Sequence, residues 1–229
     1  TGCVGLPGGG RQAQELAFSH DRGRTWTKYM HNPVLDLGLR DFRAPKVFFH
    51  AGISRWVMLA ALPAERSVVF FTSHDLKVWS ETSRFALPLP GDGRSTWESP
   101  DLIELPVPGE VSTWMLKIDL FDRLDRGLSG RCGTRLFFGR FDGEQFTLDA
   151  RSTPAGGALA DHGPDFDGAL SWSGLPGSPV WIARMNHRRY ARQVPTRPWR
   201  GSMTLPRELS VARGADGYLH LRQLPVPAV

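Results

Sequence analysis

The chain has 229 residues, with Lys+Arg 28 against Asp+Glu 23 and a formal net charge of +5. Hydrophobic residues at 41% and charged residues at 22% argue against a disordered chain, and no apolar run approaches the ~18 residues of a membrane span. Gly 25 and Pro 18 without a period of three exclude collagen and favour a turn-rich all-β protein.

In chain order, the first informative segment is Ser19-His20-Asp21-Arg22-Gly23-Arg24-Thr25-Trp26. It has the form S-x-D-x-G-x-T-W, the Asp box of propeller hairpins. Asp21 is expected to accept backbone N–H groups, Gly23 to supply positive φ, and Trp26 to pack back on the turn. Short apolar segments rich in β-branched and aromatic residues follow: Lys46–Phe49, Trp56–Leu59, Ser67–Phe71, Thr113–Ile118, Arg135–Phe138 and Val180–Ala183. Each is bounded by Gly, Pro, Asp or Ser, the signature of strands rather than helices.

Two landmarks recur along these strands. Ser19-His20-Asp21 returns 54 residues later as Ser73-His74-Asp75, and Asp142 lies 67 after Asp75. A Trp opens a strand at Trp56, Trp114 and Trp181, with spacings of 58 and 67. A period of this length holds about four short strands, which is one propeller blade. The second Asp box, Ser73 to Trp79, has lost the Gly and the Thr.

Acids beside Pro-punctuated strand starts mark the candidate site, because innermost propeller strands line the central cavity. Three segments share this phase: Asp41–Phe48, Trp97–Leu102 and Asp161–Asp167. Glycosidases use paired carboxylates, so these are the places to look for one. Asp41 lies three residues before Ala44, and strand alternation predicts that it points to the other face.

At these residues the chain resembles glycoside hydrolase family 32, the β-fructosidases. The family's R-D-P-K-V-F, E-C-P-D-L-F and D-Y-G-x-D-F-Y-A segments correspond to Arg43–Phe48, Trp97–Leu102 and Asp161–Ala169. Its M-N-N-W-Q-Y-A and I-P-T-x-P-W-R-G-x-M-S-L-P-R-E-L segments correspond to Met185–Ala191 and Val194–Leu209. The resemblance implies a five-bladed β-propeller, here incomplete at about three and a half to four blades and without the C-terminal β-sandwich. Residues 1–210 are expected to form the partial propeller, and 211–229 the start of a linker. The implied activity is retaining hydrolysis of terminal β-D-fructofuranosyl bonds of sucrose, levan or inulin.

The resemblance makes Glu98 the acid/base; such a group works when burial holds its proton near neutrality. It places Arg43, Trp97, Asp101 and Asp165 on the substrate, with Trp97 shielding the acid or stacking on sugar. The family's transition-state-supporting aspartate is replaced by Ala44. No W-M-N-D-P-N-G motif occurs, so no nucleophile is expected within the chain, which reads as N-terminally incomplete and severely impaired. The Tyr of D-F-Y-A is Asp167, and N-W-Q has become His187-Arg188-Arg189, which alters the subsite walls.

Two other readings stay open. One is a fructan-binding pseudoenzyme, motivated by Ala44. The other is a sialidase-like propeller, which the single-segment grouping of the arginines between 184 and 200 disfavours. That grouping, with Tyr190 and Trp199 interleaved, also raises a polyanion site, outweighed by a basic pocket rim. Nucleic acid and membrane are not expected as partners. Open sheet edges make self-association a candidate. The seven histidines have no ligand-type spacing, and Cys3 and Cys132 are too few for a Cys-rich zinc site, so no metal or cofactor is expected.

Overall fold

A computed structural model describes residues 2–4, 10–87, 95–122, 133–185, 187 and 190–227. Cys132, Asn186, Arg188 and Arg189 lie outside the described residues. Two short ribbons open the chain: β1 (Gly2–Val4) pairs with β2 (Arg11–Ala13), and β3 (Ala17–Phe18) with β4 (Thr27–Lys28). Three antiparallel meanders follow. The first is β5 (Arg43–His50), β6 (Arg55–Leu62), β7 (Ser67–Ser73) and β8 (Ser80–Phe85). The second is β9 (Ser95–Leu105), β10 (Thr113–Asp122), β11 (Gly133–Phe141) and β12 (Phe146–Leu148), with β13 (Ala158–Leu159) also on β11. The third is β14 (Asp167–Ser171), β15 (Val180–Met185), β17 (Arg207–Arg213) and β18 (Leu219–Pro225), with β16 (Ser202–Met203) also on β15. Each meander is a propeller blade, and the three strand-opening Trp residues fall on the second strand of successive blades.

The blades stack face to face, so their strands are apolar on both sides instead of alternating. On β6, Val57 and Leu59 enter a core shared with the second blade, where they meet Trp97, Leu116, Ile118 and Phe137. Met58, Ala60 and Leu62 point the other way, into a core closed by Leu35, Leu37 and Leu39. A third core joins the second and third blades through Met115, Leu136, Phe138, Phe166, Trp181, Leu209 and Val211. Fully burying each large side chain contributes roughly 1.5–3 kcal/mol, so these interfaces hold the blades together.

The recurring aspartates sit in hairpins: Asp21 between β3 and β4 of the second ribbon, and Asp75 and Asp142 between the third and fourth strands of the first two blades. Asp21 accepts the Thr25 N–H at 2.9 Å and the Thr25 hydroxyl at 2.7 Å, while Trp26 Nε1 donates to Gly23 O at 2.9 Å. The shortened second box preserves this pattern. Leu76 takes the left-handed conformation (φ 66°), Asp75 accepts the Lys77 and Val78 N–H groups, and Trp79 Nε1 donates to Leu76 O. Asp142 caps the third turn by accepting the N–H groups of Glu144 and Gln145. The accepted N–H groups hold all three carboxyls below their usual range, with Asp21 lowered to about 2.

One expected boundary is corrected. Residues from 211 onward do not begin a linker: Val211 lies inside β17, which pairs with β18 through to Arg207–Pro225. Val211 and Leu219 are buried in the core between the second and third blades, so apolar burial keeps this hairpin in the blade. Among the described residues no sheet forms a separate sandwich.

Candidate active site

The first strand of each blade, β5, β9 and β14, is the free edge of its sheet, and β9 lies between the other two. All three carry an irregularity at the same phase. Pairing shifts register between Arg43 and Lys46, opposite Glu98–Asp101, and between Asp167 and Leu170. At each shift one residue is left-handed: Ala44 (φ 55°), Ser99 (φ 48°) and Gly168 (φ 62°). An inserted residue turns the following side chains to the other face. That is why Trp97 and Leu102, five apart, share one core, as do Phe42 and Val47. The residue before each bulge, Arg43, Glu98 and Asp167, thus holds the same place on the inner strand of its blade.

Two of these residues, Arg43 and Glu98, meet. Arg43 Nη2 lies 3.4 Å from Glu98 Oε1, and Nη1 lies 2.7 Å from Asp41 Oδ1. The side chains of Arg43 and Glu98 are 27% and 20% exposed, open enough for a ligand to reach. The expectation that Asp41 faces away is corrected. Asp41 precedes β5, strand alternation does not apply to it, and it joins Glu98 through Arg43.

Below this level the strands are tied by buried charge. Lys46 Nζ lies 3.2 Å from Asp101 Oδ1 and donates to Ser171 Oγ at 2.9 Å; Asp101 Oδ2 accepts the Ser171 N–H at 2.6 Å. One ion pair thus links β5, β9 and β14. A second pair, Lys117–Asp119, sits on β10. Lys117 Nζ donates to Ser99 O at 2.8 Å, and Asp119 accepts the Gly168 N–H at 2.9 Å and the Thr134 hydroxyl at 2.6 Å. It connects the bulge beside Glu98 to the bulge beside Asp167, and so positions both carboxylates.

Two expected substrate contacts do not hold in this geometry. Asp101 is fully buried and committed to Lys46 and Ser171, which makes it a structural anchor. Trp97 is also fully buried, packed beside Phe85 in the blade interface, and presents no face to a sugar. Asp165 is half-buried and accepts a hydrogen bond from the Tyr190 hydroxyl. That bond, with smaller contributions from burial and the carboxylate charge, pushes Tyr190 up to about 12. Asp167 forms a two-point ion pair with Arg184, at 2.9 and 3.0 Å from Nε and Nη2. Asp161 pairs with Arg207 at 3.0 Å. Within the arginine-rich segment, Arg200 donates to Arg192 O, and both are exposed along with Arg197 and Trp199.

Sequence reading passed over Lys46, Lys117, Asp119 and Ser171. The available signal was charge inside apolar strands: Lys117 and Asp119 stand within Thr113-Trp114-Met115-Leu116-Lys117-Ile118-Asp119-Leu120, where an unpaired charge would be costly. A separate cleft of about 420 Å³ is lined by Glu110, Arg140, Asp149, Arg151 and Arg213, and includes none of Arg43, Glu98 and Asp167. Among the described residues no three His, Cys, Asp or Glu side chains group as a metal-ligand set.

Stacked four-stranded antiparallel blades define a protein of the propeller class, with a carboxylate and an arginine meeting on its inner strands. The family model for the glycosyl hydrolases family 32 N-terminal domain matches residues 1–225, and the chain belongs to that family. It is 38% identical over 223 residues to a levanase of Bacillus subtilis, covering 95% of this chain and 32% of the relative. It is 36% identical over 214 residues to an extracellular exo-inulinase of Aspergillus niger, covering 88% and 39%. Among solved structures, β-fructofuranosidase of Schwanniomyces occidentalis complexed with fructosyl-erythritol superposes with a TM-score of 0.84 at 33% identity, covering 95% of this chain and 42% of that one. Exo-inulinase of Aspergillus awamori gives 0.83 at 33% identity, with 94% and 43% covered. The chain spans about a third to two-fifths of the length of these relatives. Of the family's five-bladed β-propeller, the described residues form three four-stranded blades and the N-terminal ribbons.

Proposed function

We propose that this chain is the acid/base-bearing part of a β-fructosidase acting with retention on terminal β-D-fructofuranosyl units of sucrose, levan or inulin. The observation that supports it is the pairing of partly exposed Glu98 with Arg43 on neighbouring inner strands, which buried Lys46–Asp101 ties together. In this reading Glu98 delivers its proton to the oxygen that leaves the fructosyl carbon. It then takes a proton from the water that releases the sugar. Arg43 holds Glu98 in place and offers donors to fructose hydroxyls, and Asp41 fixes the guanidinium from behind.

The nucleophilic carboxylate implied by the family pattern has no counterpart among these 229 residues, and Ala44 stands where a supporting aspartate is implied. Losing a nucleophile typically removes on the order of 10⁴–10⁶ in rate. We therefore propose that residues 1–229 alone bind β-fructosides and hydrolyse them very poorly. Ala44 also favours a second reading, a fructan-binding protein without catalysis. Two experiments separate these. Calorimetry with sucrose, inulin and levan should give heat that Glu98→Gln and Arg43→Met diminish; no heat at millimolar sugar rejects both readings. In a longer chain that carries a W-M-N-D-P-N-G segment upstream, Ala44→Asp should raise hydrolysis, and an unchanged rate assigns the chain to binding alone.

Self-association through open sheet edges belongs to the same proposal. Sedimentation should show concentration-dependent association, and a monomer at all concentrations would remove it.

A further inference from the structure

We propose that the cleft lined by Glu110, Arg140, Asp149, Arg151, Ser152 and Arg213 is a second binding site of this protein, selective for a phosphate group. The site does not depend on the β-fructoside reading, because it lies apart from the inner-strand residues Arg43 and Glu98. Glu98 stands near the start of β9, and seven residues of extended strand, roughly 20 Å, separate it from the strand's end at Leu105. The cleft begins beyond that end, at Val107, and is completed by residues that follow β12 and by the β17–β18 hairpin. Its volume of about 420 Å³ falls in the range that small-molecule sites occupy.

The walls are held by bonds that occupy the acidic groups. Arg213 donates from Nε and Nη2 to the two carboxylate oxygens of Glu110, at 2.8 and 2.6 Å, and from Nη1 to Gly217 O at 2.7 Å. The turn after β9 is thereby tied to the hairpin of the third blade. Asp149 accepts the Arg151 N–H at 2.9 Å and the Ser152 hydroxyl at 3.0 Å, and the Leu219 N–H donates to Ser152 O at 3.0 Å. Both carboxylates are therefore partnered, and neither faces an incoming anion unshielded.

The basic groups are not used up in the same way. Arg140, near the end of β11, is exposed, and among the described residues its guanidinium takes no hydrogen bond and no ion pair. The Arg151 side chain is 91% exposed; its one side-chain contact is Nε to Asp149 Oδ1 at 3.4 Å, so among the described residues both Nη groups stay unspent. Three arginines against two carboxylates leave the cleft with a surplus positive charge. Two planar forks of unspent N–H donors match a group that carries several oxygens on one centre, and guanidinium–phosphate bonds are both charge-assisted and bidentate. A neutral sugar would leave the surplus charge uncompensated. Free phosphate would leave most of the cleft to water, so there is room for a small polar body that carries the phosphate.

The test is calorimetry of the whole chain with inorganic phosphate, glucose 6-phosphate and glucose, with a melting curve for every variant. Both phosphates should bind and glucose should not, and added salt should weaken the binding because the charges are exposed. Arg140→Met and Arg151→Met should each weaken it by about 10-fold. Arg24→Met, at an exposed arginine of the first Asp box, should leave it within about twofold of the wild type. Arg140→Lys should recover part of the loss, because an ammonium still meets phosphate as a point charge. Tighter binding of glucose 6-phosphate than of inorganic phosphate assigns the site to a phosphorylated small molecule, and equal binding assigns it to free phosphate. No heat with either phosphate at millimolar concentration overturns the proposal, as does equal heat with glucose. Phosphate binding that survives in folded Arg140→Met, or that is lost instead in Arg197→Met, also overturns it and moves the anion to another surface. A chain that binds phosphate but no sucrose would reject the β-fructoside reading and leave this site standing.

Discussion

Lys46→Met tests the idea that buried charge, rather than apolar packing alone, holds the inner strands in register. Methionine keeps most of the length and volume of the lysine stem and removes the ammonium. Asp101, which is fully buried, then keeps the Ser171 and Leu102 N–H groups but loses its paired cation. Breaking a buried ion pair by removing one partner typically costs ~3–5 kcal/mol. The two remaining backbone donors place this case near the lower end, about 3 kcal/mol. For a chain of this size ~2–4 °C is lost per kcal/mol, so the melting temperature should fall by about 6–12 °C. Urea denaturation followed by Trp fluorescence gives the same quantity from the shift in midpoint. The double variant Lys46→Met, Asp101→Asn removes both charges and leaves an amide oxygen for the Ser171 N–H; it should recover more than half of the loss. Arg84→Met supplies a control, since Arg84 and its partners Glu65 and Glu81 are largely exposed and such pairs contribute ~0–1 kcal/mol. A Lys46→Met protein as stable as the Arg84→Met control would refute the reasoning and leave the register to the blade cores.

Further outcomes are expected elsewhere. Tyr190, raised to about 12 by its bond to Asp165, should ionise above the ordinary tyrosine range of about 10 in an absorbance titration. The raised value means the bond stabilises the fold below the ordinary tyrosine pKa of about 10, with the contribution lost as pH rises toward 12. Asp165→Asn should return Tyr190 toward its ordinary range, and an unaltered titration would break the assignment. Asp21, lowered to about 2, stabilises its hairpin above the ordinary aspartate value of 3.8 and loses that contribution as pH falls through about 2. The Thr25 amide resonance should report this transition, which Asp21→Ala should eliminate. Ala44→Gly should stabilise the chain by about 0.5–1 kcal/mol, because relief of the left-handed conformation outweighs the added chain entropy; a destabilised variant would show that the alanine methyl packs usefully.

The local devices of this protein were readable without coordinates. The first Asp box needs only eight consecutive residues, and its hydrogen bonds all close within them. The recurring Trp residues fall on the second strand of each blade, because the same four-stranded unit repeats. Glu98 and Arg43 were each singled out through the family-like segments that contain them, and the structure brings them within 3.4 Å of one another. Trp97 and Asp101 belong to the same segment and were misread, since adjacency in sequence does not say which face of a bulged strand a side chain takes. The left-handed residues at two of the three bulges are Ala44 and Ser99, neither a residue that advertises positive φ. The segment after residue 210 was misread for a related reason: Val211 and Leu219 gain their burial from Met115, Leu136 and Phe138, far earlier in the chain.

Composition, turn chemistry and strand pattern thus determined an all-β repeat protein, and the resemblance of five segments to those of the β-fructosidases pointed to its family. These are properties of short windows, where each residue's preference acts on its immediate neighbours. The tertiary structure alone decided which charges are buried anchors and which stay open to solvent. Lys46 meets Asp101 and Ser171 across 55 and 125 residues of chain, and Arg43 meets Glu98 across 55. Such contacts exist only once three separate blades stack and their bulged edges converge. The electrostatic identity of each group then follows from how much water that stacking leaves around it.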